Sequence, residues 1–140
     1  MLKKIPKILS PETVKILMEM GHGDEIVMAD ANFPAETLGS RVIRADGIEM
    51  PKILDAILEL FPLDHYSDYQ VSLMQVVPGD NVVPEIWEVY KEIIKKYDQN
   101  ILIKEIERFD FYKKSKNAYA ILITGETALY GNIILKKGVI

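Results

Sequence analysis

The chain carries two histidines, and one of them, His22, stands between Gly21 and Gly23 at the end of a helical pattern. An imidazole on flexible backbone can meet a ligand and move protons near neutral pH. A short apolar run, Ile26 to Ala29, follows it and ends at Asp30. A buried strand over residues 25–29 puts that carboxylate at a strand's carboxyl end, the edge where α/β sheets bind small molecules.

Two further polar groups fall near predicted strand ends. Arg108 follows a strand expected over 101–106, and a guanidinium can grip vicinal hydroxyls or a carboxylate with two prongs. Tyr130-Gly131-Asn132 combines a phenol, a residue that lets a ligand approach the backbone, and an amide that donates and accepts. Each has a plainer reading beside the chemical one. His22 could be a helix cap or a surface residue, Arg108 a surface ion pair with Glu105 or Glu107, and residues 130–132 an ordinary turn. His65 is given no role. Phe109, Phe111 and Tyr112 could face a sugar ring or simply pack the core. Trp87, between the apolar and polar faces of its helix, reads as an interface residue.

The elements that must position these groups alternate between helix and strand. Ser10-Pro11-Glu12 starts a helix, with an N-cap serine and proline at the first helical position. Gly21 is expected to end it. Strands are expected over 25–29, 41–45, 69–77, 101–106, 119–124 and 132–135. Helices are expected from Pro51 to a stop at Pro62, from Pro84 onward with Ile86, Val89, Tyr90, Ile93, Ile94 and Tyr97 at helical spacing, and over 109–116. That alternation predicts a three-layer α/β/α fold with a mixed, mostly parallel sheet in one domain over residues 1–140. The last two strands lie so close in sequence that they are expected to pair antiparallel.

Bulk properties narrow the functions. The net charge is −4, so no broad field favours nucleic acid, and Lys113-Lys114-Ser115-Lys116 reads as a solvated helix face. The hydrophobic fraction of 49% excludes a disordered chain and leaves apolar surface to hide between subunits. With no cysteine, there is no disulfide, thiol nucleophile or Cys-based zinc site. Met1 to Lys7 lacks the apolar core of a signal peptide, and no apolar run nears the ~20 residues of a membrane span. A cytoplasmic protein with no membrane partner is expected. A metal on His22, Asp24 and Glu25 would need further ligands that the chain does not offer, so no metal or other cofactor is expected. Dinucleotide, phosphate-loop and nucleophile-elbow motifs are all missing.

Gly21-His22-Gly23-Asp24-Glu25 with Asp30, followed by Phe33-Pro34-Ala35, resembles the ribose pyranase/fucose mutarotase family (RbsD/FucU). Val42 to Gly47, Arg108 to Tyr112, Ile123 to Glu126 and Tyr130 to Gly138 carry the same resemblance nearly end to end. The Arg-Phe-x-Phe-Tyr at 108–112 follows the fucose-type pattern rather than the ribose-type one. The resemblance implies an RbsD-like fold and an isomerase that exchanges the α and β anomers of L-fucose by general acid-base catalysis. It implies His22 as proton donor, and Asp30, Arg108, Tyr130, Gly131 and Asn132 as sugar-binding residues. Arg108 and Asn132 would then matter more for binding than for stability. A D-ribose pyranase and a non-catalytic monosaccharide-binding module stay open as alternatives.

Geometry adds one expectation about assembly. A strand over 25–29 spans ~13–17 Å at ~3.3 Å per residue, longer than a pyranose ring. His22 and Asp30 can touch one sugar only if the chain bends sharply at the glycines or if one comes from a neighbouring subunit. The second is expected, because the resemblance implies a homo-oligomer, a decamer, with sites at subunit contacts.

Overall fold

A computed structural model describes all of residues 1–140. Eleven elements follow in the order α1 (Pro11–Glu19), β1 (Glu25–Ala29), α2 (Ala35–Leu38), β2 (Val42–Ala45), α3 (Met50–Leu58), β3 (Val71–Met74), α4 (Ile86–Tyr97), β4 (Ile103–Ile106), α5 (Arg108–Asn117), β5 (Ala120–Thr124) and β6 (Ile133–Lys136). The strands form one sheet in the order β2-β5-β1-β6-β3-β4. Pairs β1–β5, β2–β5 and β3–β4 are parallel, whereas β6 runs antiparallel to both β1 and β3. Five strands therefore point one way and only β6 is reversed.

Alternation along the central strands builds two cores. Ile26, Met28, Leu122, Ile133 and Leu135 face one side, where α1, α3 and α4 add Ile16, Leu17, Leu54, Ile57, Tyr90 and Ile94. Val27, Ala29, Ile121, Ile123 and Ile134 face the other, against Ala35 of α2 and Phe111 of α5. The sheet is thus covered on both faces, which is why β1 and β5 read as continuous apolar runs. The three-layer, mostly parallel α/β arrangement agrees with the sequence reading.

Several local expectations are corrected. β5 and β6 run in opposite directions but do not pair, because β1 lies between them, parallel to β5 and antiparallel to β6. α2 was not foreseen; four residues are too few to show a helical period. The strand expected over 69–77 is regular only at 71–74. Ser10 caps α1 as expected, its hydroxyl accepting from the Thr13 amide at 3.1 Å. The left-handed glycine after α1 is Gly23, at φ +86°, not Gly21. Its amide donates to the Lys137 carbonyl at 2.8 Å. No helix is long and apolar enough to cross a membrane.

Candidate functional site

The sequence candidates separate onto the two edges of the sheet. Asp30, Arg108, Tyr130 and Asn132 line one pocket of about 250 Å³, together with Phe33, Pro34, Met74, Val77, Asp80 and Tyr112. This pocket opens at the carboxyl ends of the parallel strands β1, β3 and β4, the edge expected for small-molecule binding. Its volume sits below the range of drug-sized ligand sites, so it suits a small molecule. Gly131 does not line it. Its role is local, since a Cβ there would stand 2.9 Å from the Ala128 carbonyl oxygen.

Asp30 and Asn132 form the pocket's floor. The Asp30 amide donates to Asn132 Oδ1 at 2.8 Å, and Asn132 Nδ2 donates back to Asp30 Oδ2 at 2.9 Å. The Asn32 amide donates to Asp30 Oδ1 at 2.9 Å. Burial pushes the Asp30 carboxyl up; the Asn32, Asn132 and Phe33 donors oppose this, and the charge of Glu126 adds to it. Asn132 is only 4% exposed, so it is a structural clasp as well as a candidate ligand group. Its loss is therefore expected to cost stability as well as binding.

The walls carry the remaining polar groups. Arg108 is the first residue of α5, exposed, and its Nε donates to the Tyr112 hydroxyl at 3.2 Å. It makes no ion pair with Glu105 or Glu107; Glu107 instead caps α5 by accepting from the Phe109 and Asp110 amides. The Tyr130 hydroxyl donates to Asp80 Oδ2 at 2.6 Å, and this bond first, with some desolvation, raises the phenol's pKa. Tyr130 has φ +58°, a backbone region costly for a residue with a side chain and common at ligand sites. α4 holds it there: Trp87 Nε1 donates to the Tyr130 carbonyl at 2.9 Å and the Tyr90 hydroxyl to the Gly131 carbonyl at 2.8 Å. Trp87 is 8% exposed within the chain, so its reading as an interface residue is replaced by this supporting role.

His22 lies on the opposite edge, before β1. Its Nε2 sits 3.0 Å from Asp64 Oδ1, with the imidazole 45% exposed and the carboxylate side chain 3% exposed. Asp64 was not anticipated; the two residues are 42 apart in sequence. The Tyr66 amide donates to the same carboxylate at 3.0 Å and the Ser67 hydroxyl at 2.6 Å. Burial alone would raise Asp64, but Ser67, His22 and Tyr66 outweigh it and hold the carboxyl down at about 2. An ionised Asp64 only accepts, so Nε2 of His22 carries the proton, and Nδ1, which makes no hydrogen bond within the chain, is left as the basic ring nitrogen. The Tyr66 ring meets His22 edge-on at 5.6 Å. His65, next to Asp64, turns the other way to Asp98 at 2.5 Å. No group of three or more His, Asp or Glu side chains is gathered where it could hold a metal ion.

A doubly covered, mostly parallel sheet with a small pocket of mixed polar and apolar lining at its carboxyl edge and a histidine–aspartate pair at the other defines an α/β protein with a site for a small molecule. The chain belongs to the RbsD / FucU transport protein family, whose profile matches residues 3–140. It is 51% identical to a fucose mutarotase of Danio rerio over 146 aligned positions, covering 99% of this chain and 94% of that one. It is 51% identical to an L-fucose mutarotase of Actinobacillus pleuropneumoniae, covering 99% and 97%. The fold matches the crystal structure of a fucose mutarotase in complex with L-fucose from Streptococcus pneumoniae with a TM-score of 0.95 and 53% identity, covering 99% of both chains. Bacillus subtilis RbsD complexed with D-ribose shares the fold, with a TM-score of 0.70 at 23% identity.

Proposed function

We propose that this chain is an L-fucose mutarotase, an isomerase that exchanges the α and β anomers of the sugar through its open-chain form. The observation that carries the reading is the end-to-end likeness to a fucose mutarotase solved with L-fucose, at 53% identity. The pocket chemistry supports it. Asp30, Asn132, Arg108 and Tyr130 offer acceptors and donors for hydroxyl groups, while Phe33, Pro34, Met74 and Val77 offer apolar surface.

The reaction needs two proton movements. The anomeric hydroxyl loses its proton as the bond between the anomeric carbon and the ring oxygen breaks, and the ring oxygen gains one. Rotation of the open-chain aldehyde exposes its other face, and the same hydroxyl closes on it. Each positioned acid or base contributes typically ~10²–10⁴-fold. Nδ1 of the half-exposed His22 would act as one carrier, with Asp64 fixing the ring's tautomer and direction. Tyr130 is the candidate for the other, and Asp30, Arg108 and Asn132 would orient the hydroxyls. Because His22 and the pocket lie on opposite edges of the sheet, the working site combines His22 of one copy with the pocket of another. The chain is therefore proposed to act as a homo-oligomer, a decamer. A sugar-metabolic role and a cysteine-free chain fit the cytoplasm as its location.

Saturation-transfer NMR on L-fucose and D-ribose tests the reading. Anomer exchange in fucose at catalytic enzyme levels is the expected result. Exchange confined to ribose would replace it with a pyranase, and line broadening without exchange with a binding module.

A further inference from the structure

We propose that Lys137 is the positioning residue that holds His22 against Asp64, an inference that rests on the mutarotase reading for its catalytic meaning. Three sets of contacts converge on residues 136–138, with Lys137 at their centre. The first is its side chain. The ammonium donates to the Leu17 carbonyl at 2.7 Å and to the Met20 carbonyl at 2.5 Å. A helix end leaves its last carbonyls without partners and carries a partial negative charge. α1 has no basic residue in its own last turn. The cation that completes it comes instead from residue 137, with no carboxylate paired to the ammonium.

The second contact is the main chain on the His22 side. The Lys137 carbonyl accepts from the Gly23 amide at 2.8 Å, and the Lys137 amide donates to the Asp24 carbonyl at 2.8 Å. His22 thus leaves a helix end pinned by the side chain of Lys137 and enters a strand pinned by its backbone. Between those anchors the loop has its internal bonds, Gly21 amide to Asp24 Oδ2 at 2.7 Å and Asp24 amide to the Gly21 carbonyl at 3.2 Å, and the His22–Asp64 contact at 3.0 Å.

The third contact lies on the Asp64 side. Lys137 bridges Leu63, the Lys136 carbonyl accepts from the Asp64 amide at 3.1 Å, and the Gly138 amide donates to the Pro62 carbonyl at 2.8 Å. Gly138 has to be glycine for this approach, since a Cβ there would collide with the Leu63 carbonyl. The segment 136–138 therefore runs as a splint between the loop bearing His22 and the loop bearing Asp64. The backbone bonds survive any side-chain change, so the ammonium is the separable part. Without it the end of α1 loses its anchor, and the histidine can shift on the Gly21 side of the loop while Gly23 stays tied to the Lys137 carbonyl.

The test uses the full-length protein with Lys137→Met, which keeps the unbranched stem and removes the charge and donors. A crystal structure without sugar is expected to have His22 displaced beyond hydrogen-bond distance of Asp64. Fucose exchange should fall about 10-fold to 100-fold at unchanged fucose affinity, the scale of a small misplacement of a reacting group. Lys137→Arg, which retains a cation, should restore most of the rate. His22 still seated on Asp64 in folded Lys137→Met overturns the proposal whatever the rates, and so does a loss of affinity that parallels the loss of rate. Should the methionine variant fail to fold, Lys137→Gln takes its place with the same two outcomes. Lack of fucose exchange in the wild type would remove the mutarotase reading alone, because the sugar-free structural comparison stands apart from it.

Discussion

His22 and Asp30 stand at opposite ends of the same five-residue strand, β1, and so on opposite edges of the sheet. At ~3.3 Å per residue that strand separates them by more than a pyranose ring can bridge. The glycines beside His22 do not fold it back, since Gly23 is tied to Lys137 and the imidazole to Asp64. A site that uses both residues must borrow one of them from a second copy.

Mixing two impaired variants, assayed at sub-saturating fucose, tests this directly. His22→Ala retains an intact pocket, and Arg108→Ala retains an intact histidine. If each site joins two copies, co-refolded equal mixtures should regain activity at about a quarter of the sites by random assortment in a symmetric assembly. Exchange rates that stay at the level of the separate variants would count against a shared site. A monomer by light scattering with full activity would refute it outright.

His22→Ala should lower anomer exchange by ~10²-fold or more while leaving the thermal unfolding midpoint close to wild type. The side chain is half-exposed and its one polar partner, Asp64, retains Ser67 and the Tyr66 amide. Wild-type exchange by a folded His22→Ala protein would end its role as proton carrier.

What could be read from the sequence tracks the range of the forces involved. β1 was legible to the residue because a run buried on both faces has no polar interruption. α1 was legible because Ser10 and Pro11 act within one turn. Insertion of β6 between β1 and β3 was not, since strand order depends on partners about a hundred residues apart. The pocket residues Asp30, Arg108, Tyr130 and Asn132 were found because each combines a chemical type with a strand end. Asp64 was missed because an aspartate in Leu63-Asp64-His65 carries no local sign of the imidazole it meets. The supporting role of Trp87 was hidden for a related reason, as its partner is a backbone carbonyl that any residue would supply.

Arg108→Ala and Asn132→Ala should part company. Arg108 is exposed, hydrogen-bonded only to Tyr112 and stacked on the exposed Phe109, so its loss should weaken fucose binding about tenfold with little change in unfolding. Asn132 is buried and doubly bonded to Asp30, so Asn132→Ala should also destabilise the fold by ~1–3 kcal/mol, leaving the Asp30 amide without its acceptor. Calorimetry and denaturant melts distinguish the two. Equal stability losses, or unchanged fucose affinity in both variants, would contradict the assignments.

Acid should open the His22–Asp64 side of the molecule in a defined window. Asp64 is held at about 2 in the folded chain, against about 4 for an aspartate in an unfolded one. A folded-state pKa below the unfolded value means that the stabilisation is complete above pH ~4 and is lost as pH falls toward ~2. Denaturant melts should therefore show stability dropping across that interval as the carboxylate gains its proton and ceases to accept from Ser67, Tyr66 and His22 at once. Asp64→Asn should be less stable at neutral pH and should lack this share of the acid-dependent loss. It should also reduce fucose exchange at neutral pH, because an amide can present a donor to Nε2 and so leave the ring free to turn. A variant whose acid profile overlays that of the wild type would show that Asp64 does not carry the charge that anchors His22.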